Sequence, residues 1–393
     1  MGVSTDPQKI NELLTRGVEE IIHEDHLRSR LESGTQLRIK LGIDPTSPDI
    51  HIGRSIPILK LRDFQELGHH IVLIVGDFTG VIGDTSDKDS ERPMLSREII
   101  DENKKAYFEQ ISKLLDSTAV EFRYNSEWLE GHTYRDISEH ADKFSVSDFI
   151  ARENIKKRLD AGKRVSLREM LYPLMQGYDS IAVNADVEIG GTDQRFNLLA
   201  GRTLQSHFNQ EPQDILMNPL INGTDGRKMS SSWGNTINLR AESADMYGKV
   251  MSMADNEIVT YLTVCTRMPL QDVATLSSRL EGGENPRDIK MVLAREIVSM
   301  YHGSESAAEA EQTFIETFQD GHIPENVVEI QFPYIESLIE KNIVSSKTEL
   351  RRLLDAGGVR NAETGEKLTE LSTPIADSVV LKIGKRRFVK LCV

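Results

Sequence analysis

Cysteine is nearly absent: the 393 residues contain two, Cys265 and Cys392, far apart in the chain. Neither a disulfide framework nor a cysteine-based zinc site can be built from them, so any metal must be held by oxygen or nitrogen. Long apolar runs are missing too. The longest, Ile71 to Gly76, has six residues, against the roughly 20 that a membrane-spanning helix needs. The first twenty residues lack the charged-then-apolar order of a signal peptide and are too acidic for a transit peptide. Asp6 stands where a myristoylation motif needs Ser or Thr. A soluble cytoplasmic protein with no membrane association is the expectation. There is no GxxxxGKS or GxxxxGKT, and no GxGxxG follows a strand, which argues against a P-loop ATPase and a dinucleotide dehydrogenase. Positive charge is scarce: 47 Lys and Arg face 62 Asp and Glu, a formal charge of −15. Spread evenly, that balance would repel a phosphate backbone. It is not spread evenly. Residues 341–393 hold eleven Lys and Arg against six Asp and Glu, so a basic end of +5 is joined to a body of −20.

What is present divides the chain into domains, since single cores tend to stop growing near ~250 residues. Residues 1–240 mix buried-strand runs (Leu37 to Ile43, Ile71 to Val75, Ile181 to Val183, Val187 to Ile189) with helical segments such as Ser55 to Leu67. That alternation predicts an α/β domain on a parallel, Rossmann-like sheet, with an insertion near 110–170. Residues 241–322 read as helical: Asn285 caps, Pro286 opens the first turn, Ile289, Val292, Leu293, Ile297 and Met300 form a stripe, and Gly303 ends it. The stretch from Ile323 to Tyr334, with Pro324 and Pro333, predicts a linker, assigned to 323–340. In 341–393, Ser346 and Glu349 make a capping-box pattern for a helix with Leu350, Leu353 and Leu354 inward, closed by Gly357-Gly358. Val379 to Ile383 and Phe388 to Cys392 then alternate as strands around Gly384-Lys385.

Three segments place glycine and small polar residues just after a strand, where ligands of open α/β sheets gather. The first runs from Gly42 to Arg54. Its strand ends in a loop held by two prolines, and a helix begins near Gly53, so amide donors and the positive end of the helix favour an anion. Thr46 and His51 are suited to donate to phosphate oxygens, and Gly53 lets a flat base or phosphate approach the backbone. The second, Val187 to Asn197, repeats the strand, glycine pair and helix start, with Thr192 as a cap. Asp193 there suits the two hydroxyls of a ribose, and Gln194 a carboxylate or carbonyl. The third, Gly226 to Ser232, is a basic, hydroxyl-rich loop whose Lys228 can add positive charge where phosphate charge develops. Each alone is also explained by an ordinary solvated loop or helix start.

Together they are specific. His51-Ile-Gly-Arg54 resembles the HIGH signature and Lys228-Met-Ser-Ser-Ser232 the KMSKS signature of class I aminoacyl-tRNA synthetases, about 175 residues apart with Gly190-Gly-Thr-Asp-Gln194 between them. Tyr172-Pro-Leu-Met-Gln-Gly-Tyr-Asp179 resembles the bacterial tyrosyl-tRNA synthetases, and the resemblance extends to a C-terminal module similar to the S4 RNA-binding fold. It implies that Tyr172, Gln176 and Asp84 hold the α-ammonium group of tyrosine and that Asp179 accepts a hydrogen bond from its hydroxyl, with Asp44 in the same site. Gln194 would contact the carboxylate and Asp193 the ATP ribose. Gly53 would meet the adenosine, and Thr46, His51 and Lys228 the pyrophosphate. Pro45, Arg54, Gly191, Met229 and Ser230 complete the ATP contacts. Thr46, His51, Gln194 and Lys228 are the residues expected to act in catalysis. Mg²⁺ is expected to travel with ATP and not in a protein cage. Lys347, Arg351, Arg352, Lys385, Arg386 and Arg387 are expected on tRNA(Tyr), and a homodimer joined through the insertion is implied by the family alone.

Three positions depart from the family's pattern: Arg54 replaces the final His, Ser231 the second lysine, and Lys40 a tyrosine that touches the substrate hydroxyl in some members. Lys40 either points elsewhere or meets Asp179. Two other readings stay open at this stage: a tryptophanyl-tRNA synthetase, and a catalytically silent relative that binds RNA.

Overall fold

The computed structural model describes residues 2–86, 94–318 and 327–392, apart from positions 342, 345, 363, 372, 374, 376–377 and 385–386. The chain forms two compact units: Met1–Glu242 with Ser252–Ile297, and Ser243–Met251 with Val298–Val393.

The first unit is built on six strands: β1 Glu20–Ile22, β2 Arg38–Ile43, β3 His70–Val75, β4 Val120–Tyr124, β5 Val187–Gly191 and β6 Asp214–Asn218. They lie in the order β1-β6-β5-β2-β3-β4, all parallel except β1, which runs antiparallel to β6. The apolar run from Ile71 to Val75 is buried throughout, as expected of a strand covered on both faces. Helices Ile52–Glu66, Leu167–Ala182 and Arg195–His207 carry the residues that matter below. The last two cross closely at Gly177, where an added Cβ would stand 3.0 Å from the Ala200 backbone.

One expected strand is not formed. Ile181 to Val183 ends the helix Leu167–Ala182, which starts in a capping box where Ser166 Oγ accepts from Arg168 N (3.3 Å) and Glu169 accepts from Ser166 N (2.9 Å). Sixteen residues of cooperative helix outweigh the strand preference of a three-residue run. The helix stops at Asn184, in the left-handed region at φ 49°.

Residues 252–297 pack with the sheet, pinned by Arg16, which donates to the carbonyls of Thr263 (3.0 Å) and Thr266 (2.8 Å). Helix Pro286–His302 begins at Asn285, whose side chain accepts from Arg287 N (3.1 Å), and stops at Gly303.

The second unit holds a sheet in the order β7-β10-β9-β8, from β7 Val328–Ile330, β8 Val359–Asn361, β9 Val379–Ile383 and β10 Arg387–Leu391. Ser346 caps helix Lys347–Asp355 by accepting from Glu349 N (3.2 Å). Much of the expected linker is instead structural. Residues 328–330 pair in parallel with β10, and helix Tyr334–Glu340 buries Tyr334 and Leu338 in the core with Leu350, Leu381, Ile383, Val389 and Leu391. Pro333 signals a break in the sequence but serves as the start of that helix, where a missing N–H is harmless. Pro324 lies outside the described residues.

Candidate active site

In the first unit, β2 leads on to β3 and β4 on one side, and β5 and β6 pair on its other side, so the strand order reverses between β2 and β5. Loops leaving the carboxyl ends of these two strands diverge there and leave a crevice. A cavity of about 460 Å³ opens at this point. Its walls include Asp44, Thr46, His51, Gly53, Arg54, Asp84, Tyr172, Gln176, Asp179, Gly191, Asp193, Gln194, Lys228, Met229 and Ser230. Residues as distant in sequence as Asp44 and Ser230 therefore meet in one place. Pro45 stands beside the wall, its carbonyl accepting from Asn103 (2.9 Å).

At one end of the cavity the polar groups form a connected chain. Asp179, 3% exposed, accepts from Trp128 Nε1 on one oxygen (2.8 Å) and from Asn125 on the other (3.3 Å). Asn125 also donates to Thr79 Oγ1 (2.8 Å), and Thr79 donates to Asp44 (2.7 Å). The other oxygen of Asp44 accepts from the Tyr172 hydroxyl (2.8 Å). Gly76 is required for this approach, because a Cβ there would fall 2.0 Å from Asp44 Oδ1. Burial pushes the Asp179 carboxyl up to about 7, against the pull of Lys40 and of the Trp128 and Asn125 hydrogen bonds. Burial, with Asp44 next in effect, raises the Tyr172 phenol well above its ordinary range, so it stays a donor.

Asn197 ties the middle of the cavity together. Fully buried, it donates to Gln176 (3.0 Å) and to Gln194 (2.9 Å), while Gln194 donates to Asp84 (2.8 Å). Asp84 is held by the loop that follows it. Thr85 donates to Glu169 (2.7 Å), which is buried in an ion pair with Arg158 (2.5 Å). Thr192 does not cap the helix as expected; a single 3-10 turn, Thr192–Gln194, intervenes before Arg195, with no side-chain cap bond. That turn carries Asp193 to the mouth.

At the other end, His51 caps helix Ile52–Glu66 by accepting from Arg54 N (3.3 Å), and a Cβ on Gly53 would meet its ring at 3.1 Å. Arg54 donates to Tyr107 (2.6 Å) and to Thr46 Oγ1 (3.3 Å), which puts its guanidinium beside the hydroxyl expected on phosphate. Lys228 reaches across the mouth to Asp193 (2.9 Å). Its loop is fixed by Asn235, which accepts from Ser230 N (2.9 Å) and donates to the Lys228 carbonyl (3.0 Å), and by Met229 N on the Ile221 carbonyl (2.9 Å).

Of the two destinations open to Lys40, its ammonium takes a partner other than Asp179, which it still influences through its charge. Its ammonium pairs with Glu188 (2.8 Å) behind the cavity wall, and both side chains are buried. Thr79, Asn125, Trp128 and Asn197 are site residues that the sequence reading missed. They come from three separate segments with no local signature, and only Asn197 lies inside a segment that was singled out.

In the second unit, Arg351 and Arg352 are exposed on helix Lys347–Asp355. Lys347 pairs with Glu336 (2.6 Å), and Arg387 is engaged by Glu349 (2.9 Å) and the Ile343 carbonyl. Lys385 and Arg386 lie outside the described residues.

Residues 32–319 match the family model described as tRNA synthetases class I (W and Y). The chain is 42% identical to the tyrosine--tRNA ligase of Carboxydothermus hydrogenoformans over 97% of each chain, and 42% identical to that of Thermotoga maritima over 98% of each. A crystal structure of tyrosyl-tRNA synthetase with L-tyrosine from Archaeoglobus fulgidus shares the fold, at a TM-score of 0.63 and 24% identity, over 77% of this chain and 99% of that one. With its cavity at the reversal of strand order and these relatives along nearly its whole length, the chain belongs to the tyrosine--tRNA ligase family of class I aminoacyl-tRNA synthetases.

Proposed function

We infer that the cavity activates L-tyrosine with ATP and then esterifies the 3′-terminal ribose of tRNA(Tyr). The observation that carries this reading is one cavity with a buried hydroxyl acceptor, Asp179, at one end and Thr46, His51, Asp193 and Lys228 at the other. The phenol O–H of tyrosine donates to Asp179, and its ammonium group is held among Asp84, Tyr172 and Gln176, with Asp44 orienting the Tyr172 hydroxyl. Gln194 orients the carboxylate, and Asp193 takes the ribose. An oxygen of the tyrosine carboxylate attacks the α-phosphorus in line, and the bond to pyrophosphate breaks. Thr46, His51, Arg54 and Lys228 stabilise the charge that develops on the phosphates. Pro45, Gly53, Gly191, Met229 and Ser230 shape the nucleotide side through backbone and apolar contact. A ribose hydroxyl of the tRNA then attacks the acyl carbon and AMP leaves. Mg²⁺ arrives with the ATP phosphates as their counter-ion, in keeping with its reluctance to dehydrate.

The acceptor also decides between amino acids. The phenol adds a further donor to a buried carboxylate, and a substrate lacking a hydroxyl desolvates that acceptor without replacing the donor, so it is rejected, a principle commonly illustrated with this enzyme family. Asp179 taken together with Tyr172, Gln176 and the C-terminal module favours tyrosine over tryptophan. The decisive assay is ATP–pyrophosphate exchange with each of the twenty amino acids. Tyrosine should dominate; exchange driven best by tryptophan, or by none, overturns the reading.

The exposed Arg351 and Arg352 support tRNA contact by the C-terminal module, in the cytoplasm where its substrate is found. Because β7 pairs with β10, a deletion that tests this should remove residues from 327 onward and leave exchange intact while charging is lost. Homodimerisation through the insertion is supported by its exposed apolar side chains, among them Tyr134 (91% exposed), Val146 (77%) and Leu167 (77%). Sedimentation at micromolar concentration tests it, with a monomer as the opposing result.

A further inference from the structure

Behind the wall that carries Asp179 lies an ion pair with no role in the mechanism above. Lys40 on β2 and Glu188 on β5 are 2.8 Å apart, 0% and 1% exposed, and neither lines the cavity. All three ammonium protons are used, on Glu188, on Ser180 Oγ (2.8 Å) and on the Gln176 carbonyl (3.0 Å), so none remains for a ligand. Glu188 is held in turn by Gln213 (2.5 Å) and Ser180 (3.0 Å). Gln176 and Ser180 bracket Asp179 on one turn of its helix, so the ammonium is docked on the turn that presents Asp179 to the cavity. Burying such a pair gains little stability by itself, since desolvation offsets the attraction.

We propose that Lys40 is a positioning residue for amino-acid specificity: its charge, fixed behind the wall by Glu188, keeps Asp179 ionised as a hydrogen-bond acceptor for the substrate phenol. This rests on the tyrosine reading of the site. Among the described residues, the charged and titratable groups around Asp179 include Lys40, Glu188, Tyr172 on its own helix, Asp44 through Thr79 and Asn125, Asp84 on the same cavity wall, and Arg123 over the Trp128 ring. Lys40 draws the Asp179 carboxyl down and Glu188 opposes it.

The test is kcat/KM for tyrosine in pyrophosphate exchange from pH 6 to 9. Wild-type exchange with tyrosine establishes the reading itself; its absence would defeat that reading before the pair is touched. In Lys40→Met/Glu188→Gln, which removes both charges, the tyrosine profile should move to higher pH. The expected loss is about fivefold at pH 7 and close to tenfold at pH 6, for a shift of about one unit, recovering by pH 9. Lys40→Arg should keep the wild-type midpoint. Glu188→Gln alone, which leaves the cation without its counter-ion, should move the midpoint the other way and carries the test if the neutral pair does not fold. A loss uniform across pH, or a midpoint unmoved in the variants that fold, overturns the proposal.

Discussion

The amino-acid end of the cavity and its nucleotide end are built from the same kinds of side chain, yet they are held differently. Around Asp179, Asp44 and Tyr172 each polar group already has a protein partner in a chain that a tyrosine can join without breaking it. Around Lys228 and Arg54 the partners include groups proposed to bind ATP: Lys228 sits on Asp193, and Arg54 on Thr46 as well as Tyr107. In the proposed mechanism, substrate selection is therefore preorganised, while the cationic groups change partner when ATP arrives. A contact made only after such a change contributes to the transition state more than to ground-state binding.

The largest effect that separates the two ends is expected from Lys228→Ala. Adenylate formation should slow by ~10²–10³-fold, the scale of loss when one donor to developing charge is removed, with KM for tyrosine within about twofold of wild type. Equal losses in both would erase the distinction. Asp179→Asn comes next, lowering kcat/KM for tyrosine by ~10²-fold with the ATP KM unchanged. It also has a signature in stability. The folded carboxyl titrates near 7 and the ordinary one at 3.8, so the unfolded chain releases its proton first and stability falls as pH rises across that window, then levels. Thermal denaturation of Asp179→Asn at pH 5 and pH 8 should show this component removed. Asp193→Asn should raise the ATP KM by ~10-fold. Its melting temperature should hardly move, because the pair with Lys228 is partly exposed and such pairs contribute under ~1 kcal/mol. The smallest effect is predicted for Arg351→Ala/Arg352→Ala: a few-fold rise in KM for tRNA and a salt dependence reduced by about two phosphate contacts. Pyrophosphate exchange in that variant should match wild type.

The legible part of the site follows the same division. Motifs on consecutive residues, such as His51 to Arg54 and Lys228 to Ser232, were readable because a loop after a strand keeps its chemistry in one segment. So was the spacing of Tyr172, Gln176 and Asp179 on one helix face. What could not be read was whatever tertiary packing supplies: Trp128 and Asn125 reach Asp179 from about fifty residues away, and Asn197 joins two glutamines that the sequence leaves unrelated. Lys40 was open to two destinations, and the choice depended on Glu188 standing opposite it in the next strand. Secondary structure failed where a short β-branched run ended a long helix, at Ile181 to Val183, and where Pro333 was taken for a break.

The C-terminal sheet has its own consequence for how the protein is made. Of its four strands, β10 leaves the ribosome last, yet it lies between β7 and β9 and supplies the only strand partner of β7 among the described residues. The sheet cannot be assembled in order of synthesis. More than fifty residues separate β7 from that partner, so the pairing of Val328 and Ile330 must wait until the rest of the module is translated.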